Sequence, residues 1–274
     1  MPISTFIFPT QNIISNTIWD GAYILDQDIH VQSGAILTIK PGTGIFMDTD
    51  VTLTVDVGAK IIAEGSEEYP ITFTGENGAS WDRIEIHGDN SSFNYCNFDG
   101  GYLNIYNRAD GTVINNCKFT NAYAGVYSTS KTDGSRSSIT LGNCVVENNL
   151  HGLYISYTDA SITNSTIQNQ SYYGIYTYRA DLGKNDAAGG MFSNNIIQNN
   201  GHEGIRMNYD GDVYLGYGSF TGSNIIKNNG YDEIKLESTS STTHLGQSNY
   251  GAGSDIYDHV NTGYYYIVSA RKFK

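Results

Sequence analysis

Two stretches decide the fold when one is set under the other: Asn143-Cys144-Val145-Val146-Glu147-Asn148-Asn149-Leu150-His151-Gly152-Leu153-Tyr154 and Asn194-Asn195-Ile196-Ile197-Gln198-Asn199-Asn200-Gly201-His202-Glu203-Gly204-Ile205-Arg206. Each opens on Asn, buries an apolar anchor three positions on, turns through paired Asn, and resumes at Gly followed by a second apolar residue. The first half of the pattern recurs at Tyr95-Cys96-Asn97-Phe98, Asn116-Cys117-Lys118-Phe119, Asn164-Ser165-Thr166-Ile167 and Ser223-Asn224-Ile225-Ile226. The second half recurs at Ile105-Tyr106, Val126-Tyr127, Ile175-Tyr176 and Ile234-Lys235. From Phe98 through Phe119, Val146, Ile167 and Ile197 to Ile226 the anchors step by 21, 27, 21, 30 and 29 residues. A minimum period with variable additions describes a constant cross-section carrying elastic loops, and no segment shows a helical stripe. Short strands at this period, with Asn and Gly corners that tolerate the left-handed backbone, predict a solenoid of stacked parallel strands. Coils stacked about 4.8 Å apart place equivalent residues in columns, and a column of Asn can hydrogen-bond up and down the stack.

The N-terminal third reads the same way with longer strands. Ala35-Ile36-Leu37-Thr38-Ile39, Val51-Thr52-Leu53-Thr54-Val55, Ile71-Thr72-Phe73-Thr74 and Arg83-Ile84-Glu85-Ile86-His87 alternate in polarity between Gly-containing turns. The expected fold is therefore all-β: a single-stranded parallel β-helix of about ten coils at roughly 20–30 residues each. Residues 1–16 are expected to cap or edge the first coil, and residues 17–274 to form the β-helix. The last strand-like segment, Tyr264-Tyr265-Tyr266-Ile267-Val268, runs into Arg271-Lys272-Phe273-Lys274. That ending leaves either a longer natural chain or a capping partner subunit.

Trp19, Tyr23, Gly34-Ala35, Leu37-Thr38-Ile39 and Pro41-Gly42-Thr43, continued by Ala63-Glu64-Gly65, Pro70-Ile71-Thr72-Phe73-Thr74 and Trp81, carry a resemblance. This pattern resembles the opening of secreted bacterial right-handed parallel β-helix proteins of the pectate-lyase-like superfamily, and the Asn/Gly coils from Tyr95 to Lys235 are similar to their generic repeats. The resemblance implies a right-handed helix, as does the crossover rule for parallel strands. For function it implies a range, because the group includes lyases, hydrolases, epimerases and proteins without activity. Gly201-His202-Glu203-Gly204 is similar to the Gly-His-Gly element of polygalacturonases, but Glu203 interrupts it and no paired aspartates stand two coils earlier.

Charge and composition restrict the partners. The 274 residues carry 15 Lys+Arg against 28 Asp+Glu, a net charge of −13. With no basic cluster before the last four residues, nucleic acid and anionic membranes are excluded as partners. No apolar run approaches a membrane span. The apolar segment Ile3 to Phe8 is too short, and lacks the preceding basic residues, to read as a signal peptide. Low Lys with abundant Tyr, Asn, Gly, Ser and Thr points to an extracellular or cell-surface protein. Cys96, Cys117 and Cys144 fit no zinc spacing and share one column of three successive coils, which reads as buried thiols rather than disulfides. Oligomeric state is left open.

Strand alternation then assigns faces. The residue after each second apolar anchor points outward, giving one column: Glu85, Tyr106, Tyr127, Tyr154, Tyr176, Arg206, Lys235. Its four tyrosines make a strip about 15 Å long, offering rings for sugar binding or merely covering an outer sheet. Three positions earlier run Ala124, His151, Tyr173, Glu203 and Asp232. His151, Glu203, Arg206, Asp232 and Lys235 thus form the candidate catalytic set, with Tyr106, Tyr127, Tyr154 and Tyr176 as candidate substrate-binding residues. A lyase would need a base and a cation beside the sugar carboxylate. A retaining glycosidase would need two carboxylates about 5 Å apart, the spacing expected of Glu203 and Asp232 on adjacent coils. The plain alternative is a solvated patch of Glu203–Arg206 and Asp232–Lys235 pairs. No metal ligands are assigned, and no cofactor is certain. Calcium is a candidate only at Asp210-Gly211-Asp212, a sequence equally typical of a turn. The expected function is polysaccharide engagement through the tyrosine column, with lyase or hydrolase activity undecided. The alternative is a non-catalytic cell-surface or adhesion module.

Overall fold

The computed structural model of the chain describes residues 6–9, 12–183, 191–215 and 224–237. It also gives the backbone pairing of strands Thr242–Leu245, Asn249–Tyr250, Ile256–Asp258 and Tyr265–Ile267. The described strands wind into a right-handed parallel β-helix with three sheets. The first coil runs Thr17–Trp19, Ala22–Leu25, Ile29–Val31, and the next begins at Ile36–Ile39, directly beside Thr17–Trp19. Every described strand pair is parallel, and the second and third sheets each hold ten strands. That number agrees with the coil count expected from the repeat.

Sequence reading had found two apolar elements per coil; the structure has three. The additional strands, such as Thr112–Asn115, Ser137–Gly142 and Thr158–Thr163, build the first sheet. They escaped the repeat because the loops that vary in length lie on this side. By contrast, the spacing between second-sheet and third-sheet anchors stays at seven or eight residues from Phe98–Ile105 to Ile226–Ile234.

Anchors fill the interior in columns. Phe73 stacks on Phe98 at 4.9 Å and Phe98 on Phe119 at 4.7 Å, both nearly parallel. Val146, Ile167, Ile197 and Ile226 continue that column in register. The ring spacing equals the distance between hydrogen-bonded strands, so one register serves both the ladder and the core.

Two corners of each coil have a common construction. Asn116, Asn143, Asn164 and Asn194 occupy one corner at φ between 51° and 56°, and Tyr95 stands there at 48°. Asn121, Asn148, Asn169, Asn199 and Asn228 occupy the next, at 57° or close to it. Asn reaches this left-handed region at low cost. Ala122 apart, the residue after each of these corners points inward, and where it is Asn or Gln it reaches back to the preceding coil. Asn195 accepts from Ser165 N–H and donates to Ile162 C=O. Asn149 does the same to Ala122 N–H and Phe119 C=O, and Asn200 to Gln170 N–H and Ile167 C=O. Gln170, Asn224 and Asn229 repeat the pattern. Each amide therefore bridges an N–H and the carbonyl three residues before it, groups that the corner would otherwise leave buried and unpaired. The cysteines belong to the same column: Cys96 N–H donates to Cys117 Sγ, and Cys144 N–H to Ser165 Oγ. All three thiols are free and buried.

At the N-terminal end Ile7 bridges Tyr23 and Ile13 bridges Val31, both parallel, so this segment lies against the first coil. The expected chain ending at residues 268–274 falls outside the described residues. Among the described residues no helix is long and apolar enough to cross a membrane.

Two outcomes follow. Asn195→Ala strands a buried N–H and a buried carbonyl, so chemical denaturation should show a loss of about 1–3 kcal/mol. The exposed Lys40→Ala should leave the midpoint unchanged. Burial pushes the Cys144 thiol up to about 12 and also raises Cys117 well above its ordinary value. A thiol reagent at pH 8 should accordingly leave the native protein unlabelled and modify three cysteines in denaturant.

Candidate functional site

The outer face of the third sheet carries the predicted column in register. Glu85 pairs with Tyr106, Tyr106 with Tyr127, Tyr127 with Tyr154, Tyr154 with Tyr176, Tyr176 with Arg206 and Arg206 with Lys235. Behind each stands a fully buried apolar residue, Ile105, Val126, Leu153, Ile175, Ile205 or Ile234. Glycine precedes the anchors for a steric reason. A Cβ on Gly152 would meet Gly174 O at 2.4 Å, and one on Gly174 would meet Gly204 O at 2.6 Å.

The tyrosine rings do not form the open platform that sugar stacking requires. Tyr127 and Tyr154 lie face to face at 4.5 Å and 7°, and Tyr154 and Tyr176 pack at 4.5 Å and 30°. Tyr106 sets its ring edge-on to Tyr127, with the Arg83 guanidinium 5.3 Å from its centroid. Each inner ring spends its faces on its neighbours. What the strip offers a ligand is ring edges and hydroxyls repeating at the coil spacing, about 4.8 Å. Burial, reinforced by the neighbouring phenols, raises the Tyr127 and Tyr154 hydroxyls above their usual range, so they remain neutral donors.

A second aromatic column runs alongside; sequence placed His151 and Tyr173 on it but missed Tyr102, Tyr123, Tyr172, His202 and Tyr231. Tyr102 stacks on Tyr123 at 5.0 Å, Tyr123 meets His151 at 5.1 Å, and His151 packs on Tyr173 at 5.3 Å. His202 then lies between Tyr172 at 4.1 Å and Tyr231 at 4.6 Å. These residues flank the polar corner, where strand alternation gives no guide.

The charged candidates converge only in part. Glu203 is not part of a solvated patch: its side chain is 3% exposed. Its Oε1 lies 3.7 Å from Arg206 Nη1 and 3.5 Å from Lys235 Nζ, while Oε2 has no hydrogen-bond partner. Glu237 completes the cluster, 2.6 Å from Arg206 Nη2 and 3.2 Å from Lys235 Nζ. Two positions after Lys235 on the same strand face, Glu237 was within reach of the period-two rule that found the column. Arg206 Nη1 also donates to Tyr173 Oη at 2.6 Å. Burial opposes the charge on Glu237, yet its bonds to Arg206 and Lys235 hold the carboxyl below its usual range. For Arg206 and Lys235 burial is likewise outweighed, first by Glu237, and both pKa values rise. The cluster thus holds two cations and two carboxylates that neutralise one another.

Asp232 sits beside Glu203 on the adjacent coil, where Gly204 N–H donates to the Asp232 carbonyl. His151 is buried among aromatic rings, with Nδ1 lacking a hydrogen-bond partner. Burial, and then the charge of His202, lower its pKa to about 4. Asp210-Gly211-Asp212 belongs to the corner and strand of one coil, with Asp212 N–H donating to Asp181 Oδ1 at 3.1 Å. Among the described residues no three His, Cys, Asp or Glu side chains gather as a metal would require.

The fold and its outer face define a class, and comparison with known proteins agrees. The family model for the right handed beta helix region matches residues 82–265, and that for the pectate-lyase like beta helix domain matches residues 11–100. The chain belongs to the right-handed β-helix family. Among solved structures, the periplasmic alginate epimerase AlgG is similar at 10% identity and a TM-score of 0.47, over 94% of this chain and 76% of that one. The A-module of the Azotobacter vinelandii mannuronan C-5 epimerase AlgE6 is similar at 11% identity and a TM-score of 0.29, over 98% and 91% of the two chains. No curated protein matches the sequence.

The state of His151 has a measurable consequence. In the unfolded chain it takes up a proton near the ordinary histidine value of about 6.5, in the native protein only near 4. Between those values the unfolded chain holds more protons, so stability rises with pH across the window and is lost as pH falls from about 6.5 to about 4. Denaturant titrations across this range should show that loss in the native sequence, and a shallower one in His151→Phe.

Proposed function

We propose that this β-helix is an extracytoplasmic carbohydrate-binding protein that lays an extended polysaccharide along the outer face of its third sheet. The observation that carries this reading is the in-register run of four half-buried tyrosines, whose hydroxyls repeat at one coil spacing. Solenoids present such repeats to linear polymers, because both vary along a single axis. Asn208 Nδ2 donates to Tyr176 Oη at 3.0 Å and Arg206 Nη1 to Tyr173 Oη, fixing hydroxyls at the C-terminal end of the run.

Binding is favoured over turnover by the placement of the charged groups. Glu203 is enclosed and held by two cations, so it is badly placed to reach a glycosidic oxygen as acid or nucleophile. Arg206 and Lys235 are engaged by Glu203 and Glu237, which leaves little positive charge for the enolate-like intermediate of a lyase. The same neutrality, on a protein of net charge −13, favours a neutral polysaccharide over a polyuronate.

A glycan array should report binding to neutral linear glycans. The double variant Tyr127→Ala, Tyr154→Ala should weaken that binding at least about tenfold while circular dichroism retains the β spectrum. Unchanged affinity in the double variant, or an array without signal, would remove the tyrosine face from the function. Accumulation of unsaturated product from a uronic-acid polymer would replace binding by turnover.

A further inference from the structure

A cleft of about 550 Å³ lies on the opposite side of the third sheet from its junction with the second, where the third sheet turns into the first. Its floor is made of the successive corners around Gly34, Gly58 and Asn90, and its walls include Lys60, His87 and Arg108. The loop 129–136, one of the additions that lengthen the repeat, passes over it. Arg108 Nε donates to Ser130 O at 3.2 Å, and Lys131 Nζ pairs with Asp89 at 3.3 Å, 42 residues earlier in the chain. The loop is thereby tied down across successive coils rather than left free. His87 is oriented by Glu85, Nε2 to Oε1 at 2.9 Å.

The charge in this cleft differs from that of the molecule. Cations elsewhere on the described helix are mostly engaged: Arg83 with Asp82, Lys118 with Glu147, Arg136 with Asp159 and Asp181, Arg206 and Lys235 with Glu237. Lys60 and Arg108 make no ion pair among the described residues, although both are only partly exposed and both line this cleft. Its lining holds three cations, Lys60, Arg108 and Lys131, against two carboxylates, Asp89 and Asp133, a formal excess of one positive charge on a protein of −13. Glu85 acts on Arg108 from beyond ion-pair distance and gives its hydrogen bond to His87, and a half-buried cation without a contact ion pair is costly unless something supplies the charge.

We propose that this cleft binds a small hydroxylated monocarboxylate, a sugar acid or hydroxy acid. One negative charge balances the lining, and the Arg108 guanidinium has a planar fork suited to a carboxylate. Asn90, Thr132 and the Gly-containing corners surround the charge with hydrogen-bonding groups for hydroxyls. The volume falls within the range of small-molecule sites. A dianion would meet Asp89 and Asp133 with charge to spare, and a neutral sugar would leave Lys60 and Arg108 unbalanced. The site is separate from the tyrosine face and does not rest on the polysaccharide reading.

Isothermal titration calorimetry with the full chain tests this. D-glucuronate should bind with a dissociation constant on the order of millimolar, more tightly than glucose or glucose-6-phosphate, and less tightly as salt is raised. Lys60→Met and Arg108→Gln should each weaken it about tenfold or more. Lys60 makes no ion pair or side-chain hydrogen bond among the described residues, so its variant reads the charge without breaking a bond that holds the roof. The Tyr127→Ala, Tyr154→Ala double variant should bind glucuronate as before. Glucose or glucose-6-phosphate binding as well as glucuronate, absence of binding, or unchanged affinity in Lys60→Met would overturn the proposal. Loss of glucuronate binding in the tyrosine double variant would move the carboxylate to the other face and overturn it as well.

Discussion

The described coils from Asn149 onward hang on an amide side chain that reaches back one coil and closes the corner beneath it. A coil cannot turn without taking its backbone out of the strand ladder, and the groups freed at each corner lie inside the helix. Asn149, Gln170, Asn195, Asn200, Asn224 and Asn229 each satisfy one N–H and one carbonyl of the preceding corner. The geometry is available because the residue before Asn149, Gln170, Asn195, Asn200 and Asn229 is left-handed, which swings the next side chain inward. Two Asn requirements are therefore superposed, one conformational and one for hydrogen bonding, and the Asn-Asn pairs at 148–149, 194–195, 199–200 and 228–229 satisfy both at once. A thiol or hydroxyl can take the second place: Cys117 Sγ and Ser165 Oγ keep the acceptor half, taking the N–H of Cys96 and Cys144, whereas Cys144 keeps the donor half, toward Ile114 C=O.

This constraint also sets where the protein can vary. The corner between second and third sheets is closed by an unbroken run from Asn149 to Asn229, and the anchor spacing across it stays at seven or eight residues. Length changes are confined to the rest of the coil, including the loop 129–136. The third sheet is thus held at fixed height and fixed phase relative to the core, coil after coil. Side chains on its outer face inherit that precision, which is why tyrosines 21 to 27 residues apart meet ring to ring. The same phase-locking that makes a regular face also makes the rings stack on one another instead of lying open.

Legibility in the sequence follows the same division. The corner columns, the buried anchors and the outward tyrosines were readable because each recurs at constant distance from an Asn. The first-sheet strands were passed over although Ile114, Leu141, Ile162 and Phe192 each stand two residues before a corner Asn; the loops that enter these strands differ in length, so no constant distance links them to the third-sheet anchors that precede them. At the candidate site the register of Arg206 and Lys235 was readable and the burial of Glu203 was not. Glu203 stands between corner and strand, where neither the period of two nor the corner rule assigns a face. Its burial depends on Arg206 and Lys235 closing over it from its own coil and the next, a contact between residues that no local pattern links.

Charge separates the two faces of the third sheet's neighbourhood more sharply than shape does. At the C-terminal end of the tyrosine column the cations are matched by Glu203 and Glu237, so that end is electrically quiet, and the column leading to it presents phenol hydroxyls. Such a face can distinguish polymers by the spacing of their hydroxyls but exerts little pull at a distance. Across the sheet, Lys60 and Arg108 make no contact ion pair among the described residues, beneath a loop that Arg108 itself helps to hold. A chain with 28 carboxylates could have paired these two cations as it paired most of the others among the described residues. Because the helix fixes every corner at one height, an acidic residue one coil away would have sufficed, and Asp89 instead turns to Lys131 on the roof. The pairing that is made secures the loop, and the pairing that is omitted leaves a positive floor beneath it, the combination expected of a site whose missing charge arrives with its ligand.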